Sequence, residues 1–112
     1  KIKEVVKLPI IPPFATNNAH MFYLVFMNID QRTRFIKYSK ENNVLSVFHY
    51  LSLHKSPYYL KNNKERPELI ESDNYADCLV RLPLFYDLTE QEIDIVIMTV
   101  TDFFELEMNS IL

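Results

Sequence analysis

The side chains best suited to chemistry are three histidines, which occupy two short stretches of the chain. His20 comes just before an apolar run, and His49 and His54 bracket the sequence HYLSLH. The imidazoles of His49 and His54 and the hydroxyls of Tyr50, Tyr58 and Tyr59 can exchange hydrogen bonds with a hydroxyl-rich, phosphate-bearing ligand. The same histidines are equally typical of half-buried structural residues at strand ends. Residue chemistry alone leaves these two interpretations open.

Other reactive groups favour structural roles. A metal site on His49 and His54 would need a third ligand, and the single thiol, Cys78, belongs to another predicted element. Cys78 lies on the apolar side of that element, which predicts a buried, inert thiol rather than a nucleophile. Asp73 and Asp77 have the spacing of a solvated helix face rather than an acid–base pair. The absence of glycine excludes a phosphate-binding loop and a dinucleotide-binding fingerprint.

Hydrophobic patterning predicts the elements that must hold these side chains. The apolar run at 21–27 predicts a strand that is buried on both faces and central in its sheet. After the capping box of Thr89 and Glu92, apolar residues recur at helical spacing. The predicted order is strand 21–27, helix 31–42, strand 44–50, a polar connection at 51–72, helix 73–80, strand 81–84 and helix 90–105. This order predicts an α+β fold with helices packed on one face of a small three-stranded sheet.

The 112 residues fit a single domain, in which residues 1–7 have the pattern of the tail of a longer helix. Without glycine, asparagine is the residue that best tolerates a positive φ. Turns or helix caps are therefore expected at the Asn-Asn pairs, which lie at 17–18, 42–43 and 62–63.

Charge is distributed unevenly along the chain. Residues 1–66 hold eleven bases and four acids, whereas residues 67–112 hold eleven acids and one base, Arg81. The acidic part disfavours a nucleic-acid partner, and the basic part suits a phosphate. No apolar run is long enough to span a membrane. The single cysteine predicts a reducing, cytoplasmic location.

Three motifs in order give the sequence a family resemblance. They are NAHMFY at 18–23, VFHYLSLH at 47–54 and LPLFYDLT at 82–89. Together they resemble the C-terminal part of the pyridoxal-phosphate-dependent nucleotide-sugar aminotransferases of the DegT type. The resemblance implies that residues 1–112 are the small domain of a fold type I enzyme. It also implies a homodimer whose cofactor-binding lysine lies in a large domain that this chain lacks.

The resemblance also implies a function. The parent enzyme would convert a dTDP-4-keto-6-deoxy sugar to dTDP-4-amino-4,6-dideoxygalactose for a cell-surface polysaccharide, with glutamate as amino donor. His49, Tyr50 and His54 would contact the nucleotide sugar, together with Asn18 and His20. No catalytic or cofactor-binding residue is carried over, so the chain by itself is expected to be inactive.

Two alternatives remain beside this expectation. One is a free-standing binding or interaction module with the same fold, and the other is a small metal-dependent enzyme. The motif also departs from the family in one place, because Ser52 stands where these enzymes usually have a proline. A proline would stiffen the loop that carries His54.

Overall fold

The computed structural model describes residues 5–65 and 67–109, within which it has three strands and four α-helices. In chain order these are β1 (Phe22–Val25), α1 (Ile29–Glu41), β2 (Val47–Phe48), α2 (Pro57–Asn62), α3 (Ile70–Cys78), β3 (Leu79–Leu82) and α4 (Glu90–Asn109). A 3-10 turn at Leu53–Lys55 lies between β2 and α2. The predicted α+β class is confirmed.

The strands form an antiparallel sheet in the order β1–β3–β2. The prediction that the strand at 21–27 is central is therefore wrong, because β3 takes the centre and β1 an edge. The outer side of β1 carries only a bridge between Lys7 and Val25 within the described residues. The apolar run of β1 is explained by packing on its two faces, since Leu24 and Val25 are both buried. Burial from above and below does not require a strand on each side.

One face of the sheet packs against α1 and α4. Phe26, which directly follows β1, has its ring centroid 4.9 Å from that of Phe35 in α1 and 5.7 Å from that of Phe104 in α4. Phe103 and Phe104 are buried, as the helical spacing predicts. The core cluster comprises Val6, Leu24, Phe26, Phe35, Val80, Val100, Phe103 and Phe104.

Local signals set the helix ends. Asn28 caps α1, because its side chain accepts a hydrogen bond of 2.9 Å from the Gln31 amide. Asn43, just beyond α1, has a φ of 60°, as predicted for a chain without glycine. The predicted capping box is confirmed at α4, where the Thr89 amide donates to Glu92 over 2.8 Å and the Glu92 amide donates to the Thr89 hydroxyl over 3.3 Å.

The structure corrects several predicted boundaries. The helix predicted at 1–7 lies partly outside the described residues, and the remainder is not helical: Val5 and Val6 form a turn and Lys7 pairs with β1. The connection at 51–72 contains the 3-10 turn, α2 and the start of α3. The strand predicted at 81–84 begins at Leu79 and ends before Pro83, which has no amide hydrogen for a ladder.

No helix in the portion of the chain that the structure describes combines the length and apolar character needed to cross a bilayer.

Candidate functional site

The sheet face opposite α1 and α4 presents a row of three aligned residues. The register pairs Arg81 of β3 with Tyr23 on one side and with Val47 on the other, which puts their side chains on the same face. Side chains alternate along a strand, and Val80 belongs to the core on the opposite face. Arg81 therefore projects from the centre of the sheet, away from the main core.

A cavity of about 1060 Å³ opens beside this row, where β2 runs out into the loop before the 3-10 turn. Its walls are mostly apolar, and the polar side chains come from three parts of the fold. The segment after β2 contributes His49, Tyr50 and Ser52, α3 contributes Ser72 and Tyr75, and β3 contributes Arg81. The volume is ample for a small organic ligand.

His49 and Tyr50 form one edge of this large cavity. Their ring centroids are 4.5 Å apart with an interplanar angle of 56°. The Tyr50 side chain is well exposed, whereas His49 is half-buried. Two of the residues predicted to touch a ligand are thus adjacent and accessible at one cavity.

A second, smaller cavity of about 200 Å³ shares Arg81 and Val47 with the first. His20 lines this small cavity, and its remaining walls include Met21, Leu45 and Leu84. Arg81 lines both cavities. His20 therefore borders a different cavity from His49 and Tyr50, and the two cavities share Arg81 and Val47 as lining residues.

Asn18 is exposed and acts on the backbone before β1. Its side-chain oxygen accepts a 3.1 Å hydrogen bond from the His20 amide, and Asn17 accepts one of 2.9 Å from Ala19. Ala19 has a φ of 52°, so in this turn alanine rather than asparagine takes the left-handed conformation. Asn18 does not line either cavity but fixes the backbone that carries His20.

The row around Arg81 carries positive charge, and two buried polar atoms there lack hydrogen-bond partners. Nδ1 of His49 and Nε of Arg81 are buried and have no hydrogen-bond partner among the described residues. Burial lowers the pKa of His49, and the positive charges of Arg81 and His20 lower it further. Neither cavity has an aspartate or glutamate among its described lining residues. The site is suited to a polar ligand that supplies hydrogen-bond acceptors.

His54 takes a different place from the one that the motif suggests. It does not line either cavity, and its buried Nε2 lies 3.2 Å from Oδ1 of Asp73, at ion-pair distance but without hydrogen-bond geometry. Oδ2 of the same carboxylate lies 2.9 Å from Nζ of Lys55, and this contact is the main cause of the lowered Asp73 pKa. A 3.3 Å hydrogen bond from Ser52 to the Ser72 carbonyl joins the same two segments. His54 thus lies where Lys55 and Ser52 join the 3-10 turn to α3.

The thiol follows the structural interpretation and Asp77 is exposed, whereas Asp73 is half-buried against Lys55 and so is not on the solvated helix face that the sequence predicts. Cys78 is buried at the end of α3, and burial raises the pKa of its thiol. The described residues contain no group of three His, Cys, Asp or Glu side chains arranged to hold a metal ion.

The lysines of the described segments also lie away from the site. None of them lines the two cavities, while Lys55 pairs with Asp73 and Lys37 lies 3.9 Å from Glu41. A pyridoxal phosphate site needs a lysine amine for its covalent bond to the protein. The residues around these cavities do not fit that requirement.

Arg81 is a functional candidate that none of the three sequence motifs contains. Its signal was present in the sequence, because it is the only base in residues 67–112 and is flanked by apolar residues in a strand.

Fold and cavity together define a small α+β domain with polar side chains around a cavity that is large enough for a small ligand. Residues 2–101 match the model of the DegT/DnrJ/EryC1/StrS aminotransferase family. The chain belongs to this family.

Solved structures show the same fold. The aminotransferase TlmJ from Streptoalloteichus hindustanus superposes with a TM-score of 0.82 at 18% identity, over 94% of this chain and 28% of TlmJ. A DegT DnrJ EryC1 StrS aminotransferase from Brucella abortus gives a TM-score of 0.76 at 24% identity, over 91% of this chain and 27% of that protein. The candidate sugar aminotransferase Spr1654 from Streptococcus pneumoniae, in its apo form, gives a TM-score of 0.70 at 18% identity, over 80% and 23% respectively. The chain thus spans about a quarter of the length of these structures.

Proposed function

We propose that this chain is the small, substrate-contacting domain of a nucleotide-sugar aminotransferase. The parent reaction is the conversion of a dTDP-4-keto-6-deoxy sugar to its 4-amino sugar with glutamate as donor. The observation that carries the proposal is the large cavity at the end of β2, where His49 and Tyr50 of the family-like motif lie side by side. Family membership supports the aminotransferase class, and the three motifs support the sugar.

His49 and Tyr50 have the chemistry to bind sugar hydroxyl groups. The lowered pKa of His49 favours a neutral imidazole near pH 7, which has one nitrogen to accept a hydrogen bond and one to donate. The exposed Tyr50 hydroxyl can do the same. His20 contributes from the small cavity, on a backbone held by Asn18.

His54 is assigned a positioning role instead of direct contact. Its proximity to Asp73 supports the 3-10 turn that follows Tyr50 and so holds one wall of the large cavity. In the parent enzyme, pyridoxal phosphate supplies the electron sink for amino transfer. It is held by residues outside this chain, in a cytoplasmic homodimer.

A nuclear magnetic resonance titration with dTDP-glucose tests ligand contact in the chain itself. We expect shifts in backbone and side-chain signals of His49 and Tyr50. Tyr50→Phe should raise the dissociation constant about threefold to tenfold, as for the loss of one hydrogen bond. Tyr58→Phe is the matched control, because Tyr58, which the sequence groups with Tyr50 as a ligand contact, is similarly exposed but lies on α2 and lines neither cavity. Equal effects of the two substitutions, or no binding, would contradict the proposal.

A double-mutant cycle tests the role of His54. If His54 acts through Asp73, then His54→Asn, Asp73→Asn and the double variant should weaken dTDP-glucose binding by similar factors. If His54 instead contacts the sugar directly, the two single effects should multiply in the double variant. Circular dichroism of each variant checks that the fold is retained.

The sequence of the parent gene distinguishes an aminotransferase domain from the alternative, a free-standing binding module. A large domain with a cofactor-binding lysine, encoded in the same reading frame, would support the aminotransferase. Within the chain, addition of pyridoxal phosphate should give neither a visible Schiff-base absorbance nor transamination of glutamate. Either signal would contradict the expectation that this domain is inactive by itself.

A further inference from the structure

We propose that Arg81, flanked by His49 and His20, binds a small oxyanion, a carboxylate or a phosphate group, at the junction of the two cavities. The biological source of that anion rests on the proposed function, because glutamate carries carboxylates and a nucleotide sugar carries a diphosphate. The anion site itself is argued from the side chains of this chain.

Arg81 differs in its pairing from the two other arginines in the described residues. Arg34 makes a two-pronged ion pair with Glu107. Arg32 donates over 2.8 Å to the Asp77 carbonyl and lies 5.6 Å from the centroid of the Phe48 ring. Arg81 has no ion pair with any described carboxylate, and its buried Nε has no hydrogen-bond partner. A planar guanidinium left unpaired in this way is matched to carboxylate and phosphate oxygens.

The groups that neighbour Arg81 are also arranged to favour an anion. His49 borders the large cavity, His20 borders the small one, and Arg81 borders both. The charges of Arg81 and His20 both act on His49, so the three groups share one electrostatic environment. No acidic side chain is among the described residues that line either cavity, and none competes with an incoming anion there.

The volume of the small cavity also favours a small anion. The small cavity of about 200 Å³ is below the range of about 300–1,000 Å³ that is usual for drug-sized ligands. Its other walls are largely apolar, including Met21 and Leu45, so a charged group would be directed to its Arg81 end. A carboxylate or a single phosphate group fits this description, whereas the bulk of a nucleotide sugar belongs in the large cavity.

Two anion titrations of the full 112-residue chain test the proposal, with ¹⁵N detection of the arginine and histidine side chains. Glutarate reports the dicarboxylate source and inorganic pyrophosphate the diphosphate source. We expect one of them to shift the Arg81 Nε signal and the His49 and His20 rings. Arg81→Gln should weaken that anion about tenfold or more, as for the loss of a charged hydrogen-bond partner.

Two further variants control for charge and for folding. Lys37→Gln removes the same charge from the exposed surface of α1 and should leave anion affinity unchanged. Arg81→Lys keeps the charge but loses the two-pronged geometry, so its affinity should fall between those of the native chain and Arg81→Gln. If Arg81→Gln does not fold, the anion affinity of Arg81→Lys is compared with those of the native chain and Lys37→Gln.

Each outcome bears on the proposal. Preference for glutarate assigns Arg81 to the amino donor, and preference for pyrophosphate assigns it to the nucleotide sugar. Binding of neither anion, or equal affinity of the Arg81 and Lys37 variants, would overturn it. The proposed function fails separately: dTDP-glucose shifts at His49 and Tyr50 that persist without any anion effect would leave that function standing and remove only the Arg81 site.

Discussion

Replacing Phe35 with alanine tests the core that supports the site-bearing sheet. Phe35 has no exposed surface, and its ring centroid lies 4.9 Å from that of Phe26 and 5.2 Å from that of Phe103. Val80, which precedes Arg81 in β3, belongs to the same cluster. Removal of a fully buried phenyl ring costs about 3–5 kcal/mol, through lost transfer energy and the cavity left behind. Domains are commonly stable by only about 5–15 kcal/mol, so this is a large fraction.

Urea unfolding followed by circular dichroism measures the effect. With a slope of about 1.5 kcal/mol per molar urea, a loss of about 4 kcal/mol lowers the unfolding midpoint by about 2.7 M. Phe14→Ala is the matched control, since Phe14 is 91% exposed and its change should stay within about 0.5 kcal/mol. Equal midpoint shifts for the two substitutions would refute the packing argument. The signals of β3 should also broaden in the Phe35 variant, because the core beneath Arg81 is loosened.

Three further predictions concern protonation, capping and the thiol. The pKa of His49 is lowered in the folded state, so the unfolded chain binds more protons and the free energy of unfolding should fall as pH drops below about 6.5. His49→Gln should flatten this dependence in urea titrations at pH 5.5 to 7.5. Asn28→Ala should cost about 1 kcal/mol of unfolding free energy, because the Gln31 amide loses its cap, while Asn62→Ala on exposed α2 should cost less. Cys78 should react slowly with an alkylating reagent until urea exposes it, because burial raises the pKa of its thiol. Rapid alkylation of the folded chain would show that the thiol is accessible.

The helices that carry strong local signals were predictable from sequence. The start of α4 follows from the reciprocal hydrogen bonds of Thr89 and Glu92, and α1 follows from the cap at Asn28 and the stop at Asn43. These signals involve residues three or four positions apart, so both partners can be recognised within one short stretch of the sequence. The burial of Phe103 is predictable for the same reason, since helical spacing defines the apolar face.

Strand order was not predictable in the same way. The apolar run of β1 records burial from two layers, with Leu24 in the main core and Val25 packed near Cys78 and Leu79. Hydrogen-bonded neighbours leave no such record, because any residue except proline can supply the backbone groups of a ladder. The central position of β3 is instead set by pairing with strands more than 30 residues away in sequence.

The histidine motif was only partly predictable because His49 and His54 are separated by a change of backbone conformation. His49 follows a strand and borders the large cavity, whereas His54 lies in the 3-10 turn, where its ring faces Asp73. That acidic partner comes from α3, nineteen residues further along the chain, and its proximity depends on the whole fold. Residue type and spacing alone therefore could not separate a histidine that borders the cavity from one that lies against α3.

Arg81 shows how an overlooked candidate residue becomes recognisable once the sheet is assembled. In the sequence, a single arginine between valine and leucine is consistent with an edge-strand charge facing solvent. The structure instead puts it on the central strand, with a buried Nε that has no described acceptor. An unsatisfied buried donor costs about 1–3 kcal/mol, and a charged group costs more. A ligand that supplies the missing acceptor recovers that energy on binding. The unsatisfied Arg81 donor, which destabilises the free domain, therefore favours an oxyanion at this point of the fold.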